Sequence, residues 1–308
     1  MNALLYLTTV LIWGTTWIAI HLQLGSTPVL TSVFFRFAVA GSLLLPILLL
    51  CRRLQPTRTV DHLFFLLQGA CLFSLNFICF YNAAQYVASG VISVVFSAAT
   101  LYNAFNSWMI WKEKPAGRVY VAGAVGVLGL TLLFWRELGV NTLSTEALTG
   151  LGLAAVGAYF FSLGNMISVR HSRQGLTPLT SNAFAMLYGA AILLTLICVS
   201  DTPIVWDERP AYLYSLLYLA IPGSIVGFTA YLMLVSRIGA NNAAYATVLF
   251  PVVALSLSSI YEGYEWDGWN IAGLVLVLSG NLILQGSVDK IRKFLRARSE
   301  VAANPHSP

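Results

Sequence analysis

The sequence predicts an all-α integral membrane protein: ten transmembrane helices arranged as two inverted five-helix repeats. Three observations predict it. Of the 308 residues, 58% are hydrophobic and only 9% are charged, whereas a water-soluble domain carries roughly 25% charged residues to cover its surface. Lipid removes that requirement by replacing water as the solvent for most of the outer surface. Apolar runs of roughly 20 residues, the length a helix needs to cross about 30 Å of hydrocarbon, recur along the whole chain. Features of the first half also return in the second at an offset of about 150 residues.

Taken in order, the predicted helices cover 3–22, 29–50, 63–83, 89–111, 119–136, 148–169, 178–199, 211–234, 240–261 and 269–287. Short polar breaks separate them, among them Gly25-Ser26-Thr27-Pro28, Gln174 to Pro178, and Arg209-Pro210. No break is long enough for a soluble domain. Barrel strands need only about 10 alternating residues, so run length selects helices. The first run lacks a basic segment before it and is rich in Trp and Thr, which predicts a retained helix rather than a cleaved leader. Cys51, Cys71, Cys79 and Cys198 lie in or beside apolar runs without metal-binding spacing and read as small hydrophobes.

The basic residues orient the chain. Arg52, Arg53, Arg58, Lys112, Lys114, Arg118, Arg170, Arg173 and Arg237 occupy the even-numbered connections. Lys290, Arg292, Lys293, Arg296 and Arg298 follow the last run. Odd-numbered connections hold only Arg136 and Arg209, among the acids Glu137, Glu146, Asp201, Asp207, Glu208, Glu262, Glu265 and Asp267. Basic connections stay cytoplasmic, so both termini are expected inside. The net charge of +5 is then a record of topology and not a nucleic-acid footprint. In the tail, Val288, Ile291, Phe294 and Leu295 share a helical face between the basic residues. That face either rests on the anionic inner leaflet or belongs to a solvated helix end that enforces topology.

The repeat divides the chain into 1–137, 138–287 and a basic tail at 288–308. Thr27-Pro28 before the second run returns as Thr177-Pro178 before the seventh, and Ala122-Gly123 in the fifth as Ala272-Gly273 in the tenth. Glu113 closes the fourth run, and Glu265 stands at the matching place after the ninth. A unit of five spans is odd in number, so its second copy enters the membrane from the opposite side. One pattern in two opposite orientations supplies inward-open and outward-open states of similar energy.

Several stretches resemble EamA-type proteins of the drug/metabolite transporter superfamily. They are Trp13-Gly14-Thr15-Thr16-Trp17, Phe34-Phe35-Arg36-Phe37, Tyr81-Asn82-Ala83-Ala84-Gln85-Tyr86-Val87-Ala88-Ser89, and the glycine-rich Gly123 to Gly129 with its echo Gly273 to Gly280. The resemblance covers nearly the whole chain. It implies a ten-helix transporter of the bacterial inner membrane that exports amino acids or related metabolites. It also implies a central cavity lined by the first to fourth and sixth to ninth spans, with the fifth and tenth at the periphery. The second copy departs from the first where Met186 stands at the place corresponding to Arg36.

No catalytic constellation is visible. There is no phosphate-binding glycine loop. His21, His62, His171 and His306 are scattered, and no carboxylate falls deep inside a run. Neither acid–base pairs nor metal sites find ligands, so no enzyme activity, metal or cofactor is expected. The expected partners are a small-molecule substrate and the lipid bilayer, without nucleic acid. The sequence sets no oligomeric state.

The polar residues inside the runs are the candidate substrate contacts. Ser93, Ser97, Thr100, Asn103 and Ser107 form one stripe on the fourth run, beside Phe96. Polar groups facing lipid are costly, so the stripe faces protein or a wet cavity. Thr100 and Asn103 are assigned to the cavity, and the serines to bonding between helices. Trp13 and Trp17 sit one turn apart on the first run, with Tyr81, Tyr102, Tyr159, Tyr231 and Tyr245 on others. Such rings either grip an apolar substrate or simply pack, and about half of them are expected to touch substrate. Asn76 and Asn165 add neutral donors and acceptors. Arg36 is the one charge well inside a run, and it binds a substrate carboxylate, locks onto backbone carbonyls, or snorkels. Pro222-Gly223, Gly227 and Pro251 interrupt the eighth and ninth runs and are expected to kink them.

The sequence thus points to export of zwitterionic or neutral metabolites by alternating access, ahead of lipophilic-cation export or a non-transporting scaffold. With acids only at run ends and His21 the one marginal titratable group, gradient-following transport without obligatory proton movement is expected.

Overall fold

The protein is described by a computed structural model covering residues 2–112, 117–133, 145–243 and 246–284, with the backbone alone at 241, 242, 248, 281 and 284. Glu113, Lys114, Arg136, Glu137, Tyr245 and the basic tail at 288–308 lie outside the described residues. Every regular element among the described residues is helical. The first half contains α1 (Asn2–Leu22), α2 (Val29–Leu50), α3 (Thr59–Ala83), α4 (Ser89–Phe96), α5 (Ala99–Trp111) and α6 (Gly117–Leu133). The second contains α7 (Thr145–Arg173), α8 (Pro178–Val199), α9 (Pro210–Ile238), the single turn α10 (Ala240–Ala243), α11 (Ala246–Tyr261) and α12 (Gly268–Leu284).

Each of the ten expected segments is helical where described, with the fourth divided into α4 and α5. Helices α1, α2, α3, α7, α8 and α9 are long and apolar enough to cross a membrane, and three shorter apolar stretches lie in α6, α11 and α12. Exposed faces support the same environment. Leu7, Leu11, Val127 and Ile271 are each more than half exposed. A continuous apolar exterior of this kind is an aggregation liability in water and the normal outer surface in lipid.

The division between α4 and α5 has a local cause. The hydroxyls of Ser93, Ser97 and Thr100 each donate to the carbonyl three residues earlier, at Gly90, Val94 and Ser97. The backbone tightens in step, since Ser97 N reaches Val94 O and Thr100 N reaches Ser97 O. Side chains that bond their own backbone compete with the regular helix. These serines therefore bond within their own helix, not between helices as expected. Ser107 alone of the stripe's serines reaches another helix, with its Oγ 3.7 Å from Met166 Sδ on α7.

The two halves share unusual details. Helices α3 and α9, third in their respective halves, each contain a π-helical stretch, Cys71–Leu75 and Leu219–Val226. Ser74 Oγ donates to Gly69 O, and Ser224 Oγ donates to Leu219 O. In each case the hydroxyl satisfies a carbonyl at the widened turn. Pro222, which has no N–H to give, lies within the second stretch. The expected interruption of this segment is thus a change of helical register. The matching widening in α3 contains no proline and carries no such signal.

The bundle has two ends, called here the His21 face and the Arg170 face. The loop after α2 docks on the start of α8 at the Arg170 face. There Gln55 N donates to Thr180 Oγ1 at 3.1 Å, Thr177 N donates to Gln55 Oε1 at 2.6 Å, and Arg170 pairs with Asp61 at 2.9 Å. The loop after α8 docks in the same way on the start of α2 at the His21 face. There Thr31 Oγ1 donates to Pro203 O at 3.1 Å, Thr27 Oγ1 to Val205 O at 3.3 Å, and Arg209 Nη2 to Leu24 O at 3.0 Å.

Helices α6 and α12 pack chiefly on each other, at the edge of the bundle. Gly129 and Gly273 let the two backbones meet: a Cβ on Gly273 would lie 2.5 Å from Leu133 N and 2.6 Å from Gly129 O. The remaining helices enclose the aromatic core.

Candidate functional site

The core centres on Trp13 and Trp17. Four residues apart on α1, they project from the same helical face, and both are buried. Trp13 is ringed by Tyr231 at 4.8 Å, Phe228 at 4.9 Å, Phe161 at 5.8 Å and Phe250 at 6.4 Å between centroids. Trp17 meets Phe80 at 5.3 Å and Phe96 at 5.8 Å. Most of these contacts are edge-to-face, the arrangement that the ring quadrupole favours. The Trp13 indole N–H donates to Gly223 O at 3.3 Å. Gly227 makes room for that ring, since a Cβ there would come within 2.6 Å of Trp13 Nε1.

A chamber of about 30 Å³ lies among these rings, lined also by Thr16, Ile20, Arg36, Asn76 and Phe77. All its lining residues are buried. A volume of this order holds one or two waters, so the described conformation is closed around its centre.

Arg36 enters from α2 and is 1% exposed. Its Nε donates to Ser224 Oγ at 2.9 Å, and its guanidinium lies 4.2 Å from the centre of the Phe77 ring. Its Nη1 has no partner, nor do Asn76 Nδ2, Asn76 Oδ1 and Trp17 Nε1. The chamber thus combines phenyl walls with one charge and several unmet hydrogen-bonding groups.

Toward the His21 face the chamber is capped. Tyr81, fully buried, donates its hydroxyl to Gln23 Oε1 at 2.7 Å. Beyond it, Glu262 folds inward at the end of α11 with its side chain only 4% exposed. Its carboxylate accepts from Ser89 N at 2.8 Å and from Ser89 Oγ, and lies 3.5 Å from His21 Nδ1. This knot joins α1, α4 and α11. Toward the Arg170 face, Asn165 Nδ2 donates to Tyr231 OH at 3.0 Å and Asn103 Oδ1 at 3.4 Å. One turn further along α5, Asn106 Nδ2 donates to Ser162 Oγ at 2.9 Å.

The expected site residues therefore separate into layers. Trp13, Trp17, Arg36 and Asn76 line the chamber. Tyr81 stands on one side of it, and Asn103, Asn165 and Tyr231 form a bonded layer on the other. Thr100 is buried with its hydroxyl on its own helix. Tyr159 stacks edge-on against Tyr102 at 5.4 Å. Tyr102 lines a second cavity of about 270 Å³ between α4–α5 and the α6–α12 pair. Tyr245 lies outside the described residues.

Sequence reasoning missed most of the chamber wall. Phe77, Phe80, Phe161, Phe228 and Phe250 line it, yet a phenylalanine in an apolar run reads the same whether it faces lipid or the interior. The spacing of Phe73, Asn76, Phe77 and Phe80 on one face of α3 is the signal that was available. Glu262 and Gln23 were also missed, because acids and amides at run ends resemble ordinary loop residues.

Comparisons with known proteins agree with this architecture. The family model described as the EamA-like transporter family matches residues 1–135 and again 148–285. Protein PecM of Dickeya dadantii is 27% identical over 89% of this chain and 89% of its own length. The uncharacterized inner membrane transporter YedA of Escherichia coli K12 is 26% identical over 87% of each chain. A protein of Salmonella typhimurium named probable amino-acid metabolite efflux pump is 23% identical over 91% of this chain and 93% of its own. A crystal structure superposes with a TM-score of 0.68, at 18% identity, over 92% of this chain and 95% of its own, and so shares the fold.

Proposed function

The chain belongs to the EamA-like transporter family, and on that premise we propose that it exports small zwitterionic or neutral metabolites, amino acids above all, across the bacterial inner membrane. The observation that carries this reading is the chamber: a buried cavity walled by Phe rings, with one guanidinium, Asn76 and Trp17 offering polar contacts, and a bonded layer on either side. A carrier needs a central site that the two faces reach in turn and never together. The printed name of the Salmonella relative favours amino acids as the class to test first. Lipophilic cations would suit the ring faces, but Arg36 repels them.

The architecture we propose is ten spans in two inverted units, 1–137 and 138–287, with both termini and the tail at 288–308 cytoplasmic. The π-turn serines at equivalent places support the repeat. The two docked loops support the inversion, because equivalent loops engage equivalent helices at opposite ends of the bundle. Substrate contacts are assigned to Trp13, Trp17, Arg36 and Asn76 in the closed state. Tyr81, Asn103, Asn165 and Tyr231 belong to the flanking layers that a passing substrate meets, and Thr100, Tyr159 and Tyr245 are secondary candidates.

The test is counterflow in proteoliposomes with a panel of radiolabelled amino acids. Saturable, exchangeable uptake of at least one is expected. Rates equal to those of protein-free liposomes for the whole panel would refute the amino-acid reading.

A further inference from the structure

Of the groups around the chamber, Arg36 alone carries a full charge. Three observations bear on what answers it. No acid among the described residues reaches it: Asp61 pairs with Arg170, Asp207 with Arg209, and Glu262 is held by Ser89 beside His21. Its own contacts are the hydroxyls of Ser224 and Tyr81 and the ring faces of Phe37 and Phe77. Neither neutralises a buried guanidinium, and one left without a counter-charge is strongly destabilising. Finally, its free Nη1 shares the cavity with two other unmet donors, Asn76 Nδ2 and Trp17 Nε1. Water would satisfy those hydrogen bonds but would leave the charge standing. An anion satisfies both.

The shape of the site narrows the anion. A carboxylate offers about four lone-pair positions on two oxygens, enough for three donors. A phosphate ester carries more charge than a single guanidinium can balance. The rest of the lining is Trp13, Ile20 and phenyl rings. That surface suits an apolar or aromatic remainder, and ring faces also accept an ammonium without needing an acid.

We propose that Arg36, Asn76 and Trp17 form a carboxylate subsite, and that the substrate class is a monocarboxylate with an apolar or aromatic remainder, its amino group recognised only weakly. This rests on the reading of the chamber as the transport site, and it narrows that reading to the group that holds the substrate. Ser224 is a positioning residue here: it holds Nε, while Nη1 stays buried without a partner. The closed volume of about 30 Å³ means that the rings must part for the remainder to enter.

The experiment is equilibrium binding of tritiated 3-phenylpropanoate to the purified full-length protein, with competition. L-Phenylalanine should compete. Phenethylamine and L-phenylalaninamide, which lack the carboxylate, should be roughly 10- to 150-fold weaker, the range for losing a hydrogen-bonded charge. Potassium chloride at physiological strength should displace little. Trp17→Phe removes the indole N–H and keeps an aromatic ring, though a smaller one, and it should weaken binding roughly tenfold in a protein that still elutes as one species. Arg36→Gln should abolish detectable binding, and Asn76→Leu guards against its failing to fold. Equal competition by acid and amide, or wild-type affinity in both Trp17→Phe and Asn76→Leu, would overturn the subsite. So would chloride occupying the site to the exclusion of carboxylates. The two readings fail separately. Amino-acid counterflow that the amides share equally removes the subsite and spares the exporter. Arg36-dependent binding of 3-phenylpropanoate without any amino-acid counterflow does the reverse.

Discussion

Ser74 and Ser224 make the same bond in the two halves of the molecule: each hydroxyl donates to the carbonyl five residues earlier, at 3.1 Å to Gly69 and 2.8 Å to Leu219. What they do next differs. Ser74 also donates to Gly189 O at 3.0 Å, while Ser224 accepts from Arg36 Nε at 2.9 Å. Ser74→Ala leaves a neutral acceptor short and should cost about 1 kcal/mol. Ser224→Ala strands a charged donor and should cost about 1.5–3 kcal/mol. Reversible unfolding in mixed micelles measures both, and equal losses would mean that Arg36 draws no support from Ser224.

The Glu262 knot holds α1, α4 and α11 together at the His21 face. Glu262→Gln keeps the size but replaces an accepting oxygen with an NH₂ group. The closed arrangement should weaken by about 1–3 kcal/mol, which raises the population open at that face by roughly 5- to 150-fold. In a cysteine-free background, a Thr16→Cys reporter in the chamber should then react faster with a membrane-impermeant thiol reagent. An unchanged labelling rate would show that the knot does not hold the face shut.

Asp207 and Arg209 pair at 2.7 Å outside the helices, where Arg209 also reaches Leu24 O. Hydrogen bonds from the Arg209 side chain and backbone hold the Asp207 carboxyl below the usual aspartate value of 3.8. A depressed carboxyl stabilises the fold fully above its unfolded value and loses that contribution as pH falls through the lower folded value. Melting temperature should therefore drop as pH falls below the usual aspartate value, and Asp207→Asn should remove that part of the drop. Parallel pH profiles for the two proteins would contradict this.

Basic connections motivate a cytoplasmic placement of both termini. A reporter active only outside the cytoplasm should be active when fused after Asp207 and silent after Ser287. The opposite pattern would invert the proposed orientation.

The titratable pair nearest the transport path, His21 and Glu262, lies at one face and not in the chamber. A proton-driven exchanger needs a group that both faces reach in turn. Substrate should therefore equilibrate across liposomes without an imposed pH difference, and His21→Gln should keep most of the rate. Accumulation against a gradient under a pH difference, lost in His21→Gln, would defeat the gradient-following reading.

The helices were legible because lipid imposes a length on apolar runs, and each expected segment from 3–22 to 269–287 is helical where described. Details of register were not. The α4–α5 division arises from three hydroxyls bonding backward, and the same residues would serve equally well between helices. Within the site, Arg36, Asn76, Trp13 and Trp17 stood out because charge, amide and indole are rare inside a span. The phenylalanines did not, because only the packed fold tells an inward ring from a lipid-facing one. Asn103 and Tyr231 drew notice as polar groups, but their bonding through Asn165 depends on three helices whose approach no periodicity specifies.

Arg36 has no counterpart across the repeat, for Met186 is buried at the corresponding place. If the two halves exchange roles as a load crosses, the backbone returns to an equivalent arrangement while the charge does not. The site offered to one compartment then differs from that offered to the other, and a cargo that binds two states unequally shifts their balance. Half-saturating concentrations should differ between the two sides of the bilayer, although the end point of a passive carrier is fixed by the concentration ratio alone. The frame repeats itself, and its charge does not.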